Sequence, residues 1–212
     1  MLSVEAEVLA LEDKWMNNQV ILVGTVGGKP RFSHQSRDMA YYIFPLEVSR
    51  LSGALDQINI LVRGDLLENL SPDQKPKLQV EGQLRSFNNR SGVGQRLVIS
   101  VYANKLSFVD AEDYNYLKLS GTLCKAPNLR KTPMGREICD LLLAVSRPYG
   151  RSDYLPCISW GQNASLAALW QVGQNLTLEG RVQSRKYVKQ DGEQSFEKTA
   201  FEVSIVKQEL CE

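Results

Sequence analysis

Polar and apolar positions alternate in short runs along most of this chain, with turn-forming residues between the runs. Gln57-Ile58-Asn59-Ile60-Leu61-Val62-Arg63 shows it plainly: Ile58, Ile60 and Val62 fall on one face of an extended segment, Gln57, Asn59, Leu61 and Arg63 on the other. The same period of two predicts strands over 19–26, 39–49, 57–63, 77–87 and 95–108 in the first half. In the second half it predicts strands over 116–123, 136–147, 154–160, 174–187 and 194–208. Turns are expected at Ser33 to Asp38 and at Thr132-Pro133-Met134-Gly135, and hairpins at 88–94 and 190–193. Two stretches change period. Asn163 to Trp170 has helix formers with apolar residues at i, i+3 and i+4, and Asp65 to Leu70 is its counterpart. The first 15 residues are compatible with a helix or an added strand.

The two halves repeat each other. Asn18 to Thr25 returns as Asn115 to Thr122, Val48-Ser49-Arg50 as Val145-Ser146-Arg147, and Gly64 as Gly161, all at an offset of 97 residues. With one residue of slip, Glu81-Gly82 returns as Glu179-Gly180. That period exceeds the 20–50 residues of a solenoid unit and has the size of a small domain. Three strands, one short helix, then two strands in each half is the order of the five-stranded OB barrel. A small sandwich accommodates a lone helix poorly. The expected fold is therefore all-β, two tandem OB barrels with one short helix between strands three and four of each. The expected units are a lead segment over 1–15, a first domain over 16–110 and a second over 114–209.

Composition narrows the possibilities. The chain of 212 residues is 43% hydrophobic, and no apolar run approaches the ~20 residues of a membrane span. A cytosolic protein without a membrane partner is expected. Cys124, Cys139, Cys157 and Cys211 stand at scattered spacings, as packed thiols do, and His34 is the lone histidine. No metal or cofactor is called for. The net charge of +1 is unevenly spread: residues 16–109 carry 11 basic and 7 acidic side chains, and residues 114–211 carry 13 and 9. Each body is moderately basic, which permits a polyanionic partner.

No catalytic constellation is present, so an enzyme is not expected. Asp140, Asp153 and Glu179 read as turn or strand-surface acids. The second half instead interleaves aromatic and basic residues. By comparison with the first half, Leu155, Cys157 and Ser159 should face the core, leaving Tyr154, Ile158 and Trp160 on the outer face. Arg147, Tyr149 and Arg151 precede that strand, and Arg181, Arg185, Lys186 and Tyr187 lie on the next. Aromatic faces with cations beside them can stack bases and hold phosphates.

At Leu119 to Leu123, Asn128 to Arg136, Leu143 to Arg147, Ile158 to Gly161 and Leu178 to Tyr187 the second half resembles the bacterial single-stranded DNA-binding proteins and their primosomal relatives. The resemblance implies an OB domain that binds single-stranded DNA by stacking bases on aromatics. Carried onto this chain, its aromatics are Tyr149, Tyr154, Trp160 and Tyr187, and its cations Arg130, Lys131, Arg147, Arg151, Arg185 and Lys186. The first half has Ser52, Gln57, Arg63 and Asn89 at those aromatic places, so it is expected to serve as scaffold, with Arg50, Arg63, Arg85, Arg90 and Arg96 left to follow a phosphate backbone. The family's flexible linker and acidic tip have no counterpart after the last predicted strand, so the expectation is a primosome-type accessory protein or a variant on a mobile element, acting in replication, recombination or repair. The resemblance also implies self-association, here a homodimer carrying four barrels. Two rival readings are a primosome-type interaction module whose outer faces bind protein, and single-stranded RNA binding.

Overall fold

The computed structural model describes residues 17–67, 75–89, 97–191 and 194–211. Among these residues the protein is mostly β, with twelve strands hydrogen-bonded into one continuous system. In the first half these are β1 (Asn18–Val26), β2 (Arg31–Ser36), β3 (Met39–Ser49), β4 (Leu55–Arg63), β5 (Lys77–Asn88) and β6 (Leu97–Phe108). The second half supplies β7 (Tyr114–Leu123), β8 (Asn128–Lys131), β9 (Glu137–Ser146), β10 (Ser152–Trp160), β11 (Asn175–Asp191) and β12 (Gln194–Leu210). One short helix, α1 (Gln162–Ala167), follows β10.

Two rings of pairings result. β1 pairs with β3 and β5, β3 with β4, β5 with β6, and β4 runs parallel to β6, which closes the first ring. β7, β9, β10, β12 and β11 close a second ring in the same manner, with β10 parallel to β12. Closure removes the sheet edges that an open arrangement would leave. The alternation predicted from sequence is what fills the interior: Ile58, Ile60 and Val62 are buried on one side, Leu155, Cys157 and Ser159 on the other. At the bulges between Glu81 and Gly82 and between Glu179 and Gly180 the partner backbone comes very close. A Cβ at Gly82 would stand 2.1 Å from the Tyr102 carbonyl oxygen, and one at Gly180 would stand 2.2 Å from that of Ser204. The repeated glycine is thus required by the close approach of the partner strand at each bulge.

Three expectations need correction. Ser33 to Ser36 is not a turn but part of β2, paired with β3; only Arg37 and Asp38 turn, both at positive φ. All six residues of β2 are exposed, so this edge strand carries no alternation to read. β8 escaped prediction for the same reason. Asp153 is not a surface acid, being 0% exposed. Of the helix expected at Asp65 to Leu70, the described part is a 3-10 turn over Gly64–Leu67 and the rest lies outside the described residues. The lead segment, the hairpin tip at 90–94 and the Gly192-Glu193 tip of the last hairpin lie outside them too.

The halves are joined by β1 and β7, antiparallel from Asn18↔Leu119 to Val23↔Tyr114, with Val20↔Leu117 on the pseudo-twofold axis of the duplication. Around this strip the polar contacts come in matched pairs. Asn18 donates to the Leu84 carbonyl at 2.8 Å and accepts from its N–H at 2.8 Å. Asn115 does the same at Val182, at 2.8 and 3.0 Å. Asp56, 0% exposed, accepts from the Arg50 guanidinium at 2.6 and 2.7 Å and from the backbone N–H of Ser184, in the other half, at 2.6 Å. Asp153 repeats the motif, accepting from Arg147 of its own half and from the Ser86 N–H of the other. Each half therefore lends a buried carboxylate to the other's backbone. Removing one partner of a buried ion pair leaves the other charge uncompensated, at a cost of about 3–5 kcal/mol. Asp56→Ala is expected to lose stability of that size, read as a lower urea midpoint with an unchanged slope.

Candidate nucleic-acid interface

β10 positions the outer aromatics. Its core-facing residues fix the strand, so alternate side chains emerge: Tyr154 is 49% exposed and Trp160 is 38% exposed at the far end. Ile158 lies between them on the same face but is 7% exposed, enclosed between Asp140 of β9 and Ser204 of β12. The outer face is thus two aromatic stations separated by a closed middle. Tyr149 stands before the strand at φ +63°, a left-handed conformation uncommon outside glycine, and is 98% exposed. Tyr187 belongs to β11 opposite Lys198, and its side chain lies outside the described residues.

The cations divide into two groups. Arg50 and Arg147 are committed to the buried carboxylates of the half-to-half junction, and Arg147 also donates to the Ser86 carbonyl at 2.9 Å. Arg63 pairs with Asp65 at 2.6 Å, Arg130 with Asp140 at 2.5 and 2.9 Å, and Lys131 with Glu137 at 3.9 Å, all on the surface. Exposed ion pairs contribute little and exchange readily for phosphate oxygens. Arg151, Arg185 and Lys186 are exposed.

One acidic residue on the same surface went unnoticed in the sequence. Glu202 of β12 is half-buried, with Arg185, Arg130, Arg50 and Asp140 around it. Burial raises its carboxyl above the ordinary value, Asp140 adds to the rise, and the arginines oppose it. Its sequence neighbours are strand-forming and apolar, which offers no sign of a charge-bearing site; only the pairing of β11 with β12 brings it there.

Aromatic residues of the first half also gather, at places other than those read from the repeat. His34 of β2 stacks on Tyr41 of β3, centroids 4.8 Å apart and planes 4° apart, and Tyr41 lies 6.3 Å from Tyr102 of β6. Arg85 of β5 stands over the Tyr102 ring at 6.0 Å. Burial, with Arg147 beside it, pulls the Arg85 guanidinium below its ordinary value, though an arginine remains charged. Comparison of the halves singled out Arg85 among these residues but missed the rings, which belong to other strands than the aromatics of the second half.

The fold and this surface define an all-β binding protein whose exposed rings and cations lie together. Residues 114–210 match the family model of the single-strand binding protein family. Single-stranded DNA-binding protein B of Bacillus subtilis is 34% identical over 86 residues, covering 37% of this chain and 76% of that one. The single-stranded DNA-binding protein of Oceanobacillus iheyensis is 31% identical over 99 residues, 43% of this chain and 58% of its own length. The wild-type single-stranded DNA binding protein from Thermus aquaticus superposes with a TM-score of 0.75 at 22% identity, over 92% of this chain and 93% of that one, a likeness of fold. The chain belongs to the single-strand binding protein family.

A carboxyl whose value is raised on folding binds more protons in the native than in the unfolded state, so it subtracts stability as pH rises through that window. Glu202→Gln should therefore be more stable than the parent at neutral pH. The difference should close as pH falls below the ordinary carboxylate range, as followed by thermal melts across pH.

Proposed function

We propose that this chain binds single-stranded DNA without sequence preference, by stacking bases on exposed aromatics and holding phosphates on neighbouring cations. The observation that carries the reading is the placement of Tyr149, Tyr154 and Trp160 as exposed rings along one edge and strand of the half that matches the family. Stacking is worth about 1–3 kcal/mol per base and accepts any base, so a few rings supply useful affinity without a strongly basic surface. The two rings of strands are read as tandem OB barrels, the units running over 16–110 and 114–209. The protein acts by binding and not by catalysis, in the cytosol, on strands exposed during replication, recombination or repair. Self-association into a homodimer would present four barrels.

Titration with oligo-dT, followed by tryptophan fluorescence, tests the reading. Trp160→Ala and Tyr154→Ala should each weaken binding by about 1–3 kcal/mol. The logarithm of affinity should fall with the logarithm of salt concentration by about 0.7 per phosphate contacted, and absence of any salt dependence would count against the reading. Equal affinity for oligo-dT and oligo-U would mean that the surface does not sense the 2′-OH. Removal of the Glu202 charge from the face should raise affinity at neutral pH, so Glu202→Gln should bind oligo-dT more tightly than the parent.

A further inference from the structure

The junction of the two halves forms a groove of about 910 Å³. Four guanidiniums line it, those of Arg37, Arg85, Arg147 and Arg151, and Leu61 and Phe87 add apolar surface. Asp153 answers two of the four, bonded to Arg147 and 3.4 Å from Arg85, and no acid stands among the described lining residues. The groove thus carries surplus positive charge. The Ser100 hydroxyl in its wall is buried without a hydrogen-bond partner. Buried hydroxyls are seldom left so unless something else meets them. The occupant this lining calls for is acidic and partly apolar.

The chain itself holds a segment of that chemistry. Residues 1–15 carry Glu5, Glu7, Glu12 and Asp13 against Lys14, interspersed with Val8, Leu9, Leu11 and Trp15. They lie outside the described residues, but the point where they join the body is fixed. The Asn17 side-chain amide donates to the Ser146 carbonyl at 2.9 Å, and the Ser120 N–H donates to the Asn17 carbonyl at 2.8 Å. The residue after Ser146 is Arg147, which lines the groove. Asp13 is four residues from Asn17, at most about 14 Å of chain. The repeat supplies a precedent. Ser49 holds the place of Ser146 in the first half, with Arg50 after it, and the acidic joint Asp110-Ala111-Glu112-Asp113 ends there. Asp113 accepts from the Ser49 N–H at 2.7 Å and pairs with Lys77 at 2.9 Å. Each copy is therefore preceded by an acidic stretch, and the chain that enters its first strand is tied to the Ser-Arg position of the other copy.

We propose that the groove is a docking site for an acidic peptide and that its occupant is the chain's own lead segment. Glu12 and Asp13 then meet Arg37 and Arg151, and Val8 to Leu11 lie against Phe87 and Leu61. The docked lead covers Tyr149 and Arg151, so it competes with DNA at that end of the second half's face. This competition rests on the reading of the chain as a single-strand binder; the docking itself does not. Exposed ion pairs hold the lead weakly, so a bound strand displaces it.

The test uses the full chain throughout. A photoreactive p-benzoylphenylalanine in place of Leu11 should crosslink within its own chain to Phe87 or to residues 148–151, located by mass spectrometry, and saturating oligo-dT should suppress that product. Glu12→Gln with Asp13→Asn is then compared with Asp110→Asn with Glu112→Gln, which removes as many charges from exposed positions of the joint. The lead variant should bind oligo-dT about three- to tenfold more tightly than the parent at low salt, and the gain should shrink as salt is added. The joint variant should stay within about twofold of the parent. Equal gains in the two variants, with no groove crosslink, would overturn the inference and leave the binding reading intact. A crosslink joining two chains would overturn the assignment of the lead to its own groove. If the parent does not bind oligo-dT, the functional reading falls and the crosslink alone decides: its presence keeps the docking site and its absence removes it.

Discussion

The reciprocal exchange of buried carboxylates across the half-to-half junction is the constraint from which the rest of the structure follows. A charge removed from water is tolerable only when its lone pairs are fully met. Asp56 meets that demand with Arg50 and with the backbone and hydroxyl of Ser184, at 2.6 and 3.1 Å from the latter two. Asp153 meets it with Arg147 and the Ser86 N–H. Neither half meets all the lone pairs of its own aspartate: the arginine comes from the same half, the backbone N–H from the other. The β1–β7 strip is flanked on each side by a bond from one half's backbone N–H to the other's buried carboxylate, Ser184 to Asp56 and Ser86 to Asp153, and these bonds hold the two halves in one register.

The same constraint redistributes charge on the binding surface. Arg50 and Arg147, obvious phosphate ligands in the sequence, are held inward by geometry that phosphate would have to break. What faces solvent is a set of shallow pairs, Arg63 with Asp65 and Arg130 with Asp140, whose partners are exposed and exchangeable. Glu202 lowers the field of the second half's face further. A protein with net charge +1 has little long-range attraction to offer a polyanion. Its affinity must come from short-range contacts, which puts the weight on stacking and on grooves where guanidiniums are crowded.

How much of this was legible beforehand depended on whether the signal was local. Strand alternation is local, and the large strands were placed to within a few residues; β2 and β8, exposed throughout, had no alternation to show. The repeat carried more than was taken from it. Asp56 recurs as Asp153 at the same 97-residue offset as Arg50 and Arg147, and each continues the core-facing parity of Ile58 or Leu155. An acid on the buried parity, repeated with an arginine six residues before it, is a sign of a structural ion pair. The groove had no such sign. His34, Arg37, Arg85, Ser100 and Tyr102 are far apart in sequence, and of them His34 alone meets a cation, Lys131, at the 97-residue offset.

Duplication explains why the halves diverged in that way. In a dimer of identical chains a substitution on one face appears on both, so a ring that helps at one place must be tolerated at its symmetry mate. Fusion lifts that rule. Trp160 faces a counterpart in Arg63, Tyr154 in Gln57 and Tyr149 in Ser52, while the strand closure at Gly82 and Gly180 and the Arg50–Asp56 and Arg147–Asp153 pairs stay matched. The residues that hold the halves together kept the symmetry because each serves the other's backbone. The residues facing solvent had no such obligation.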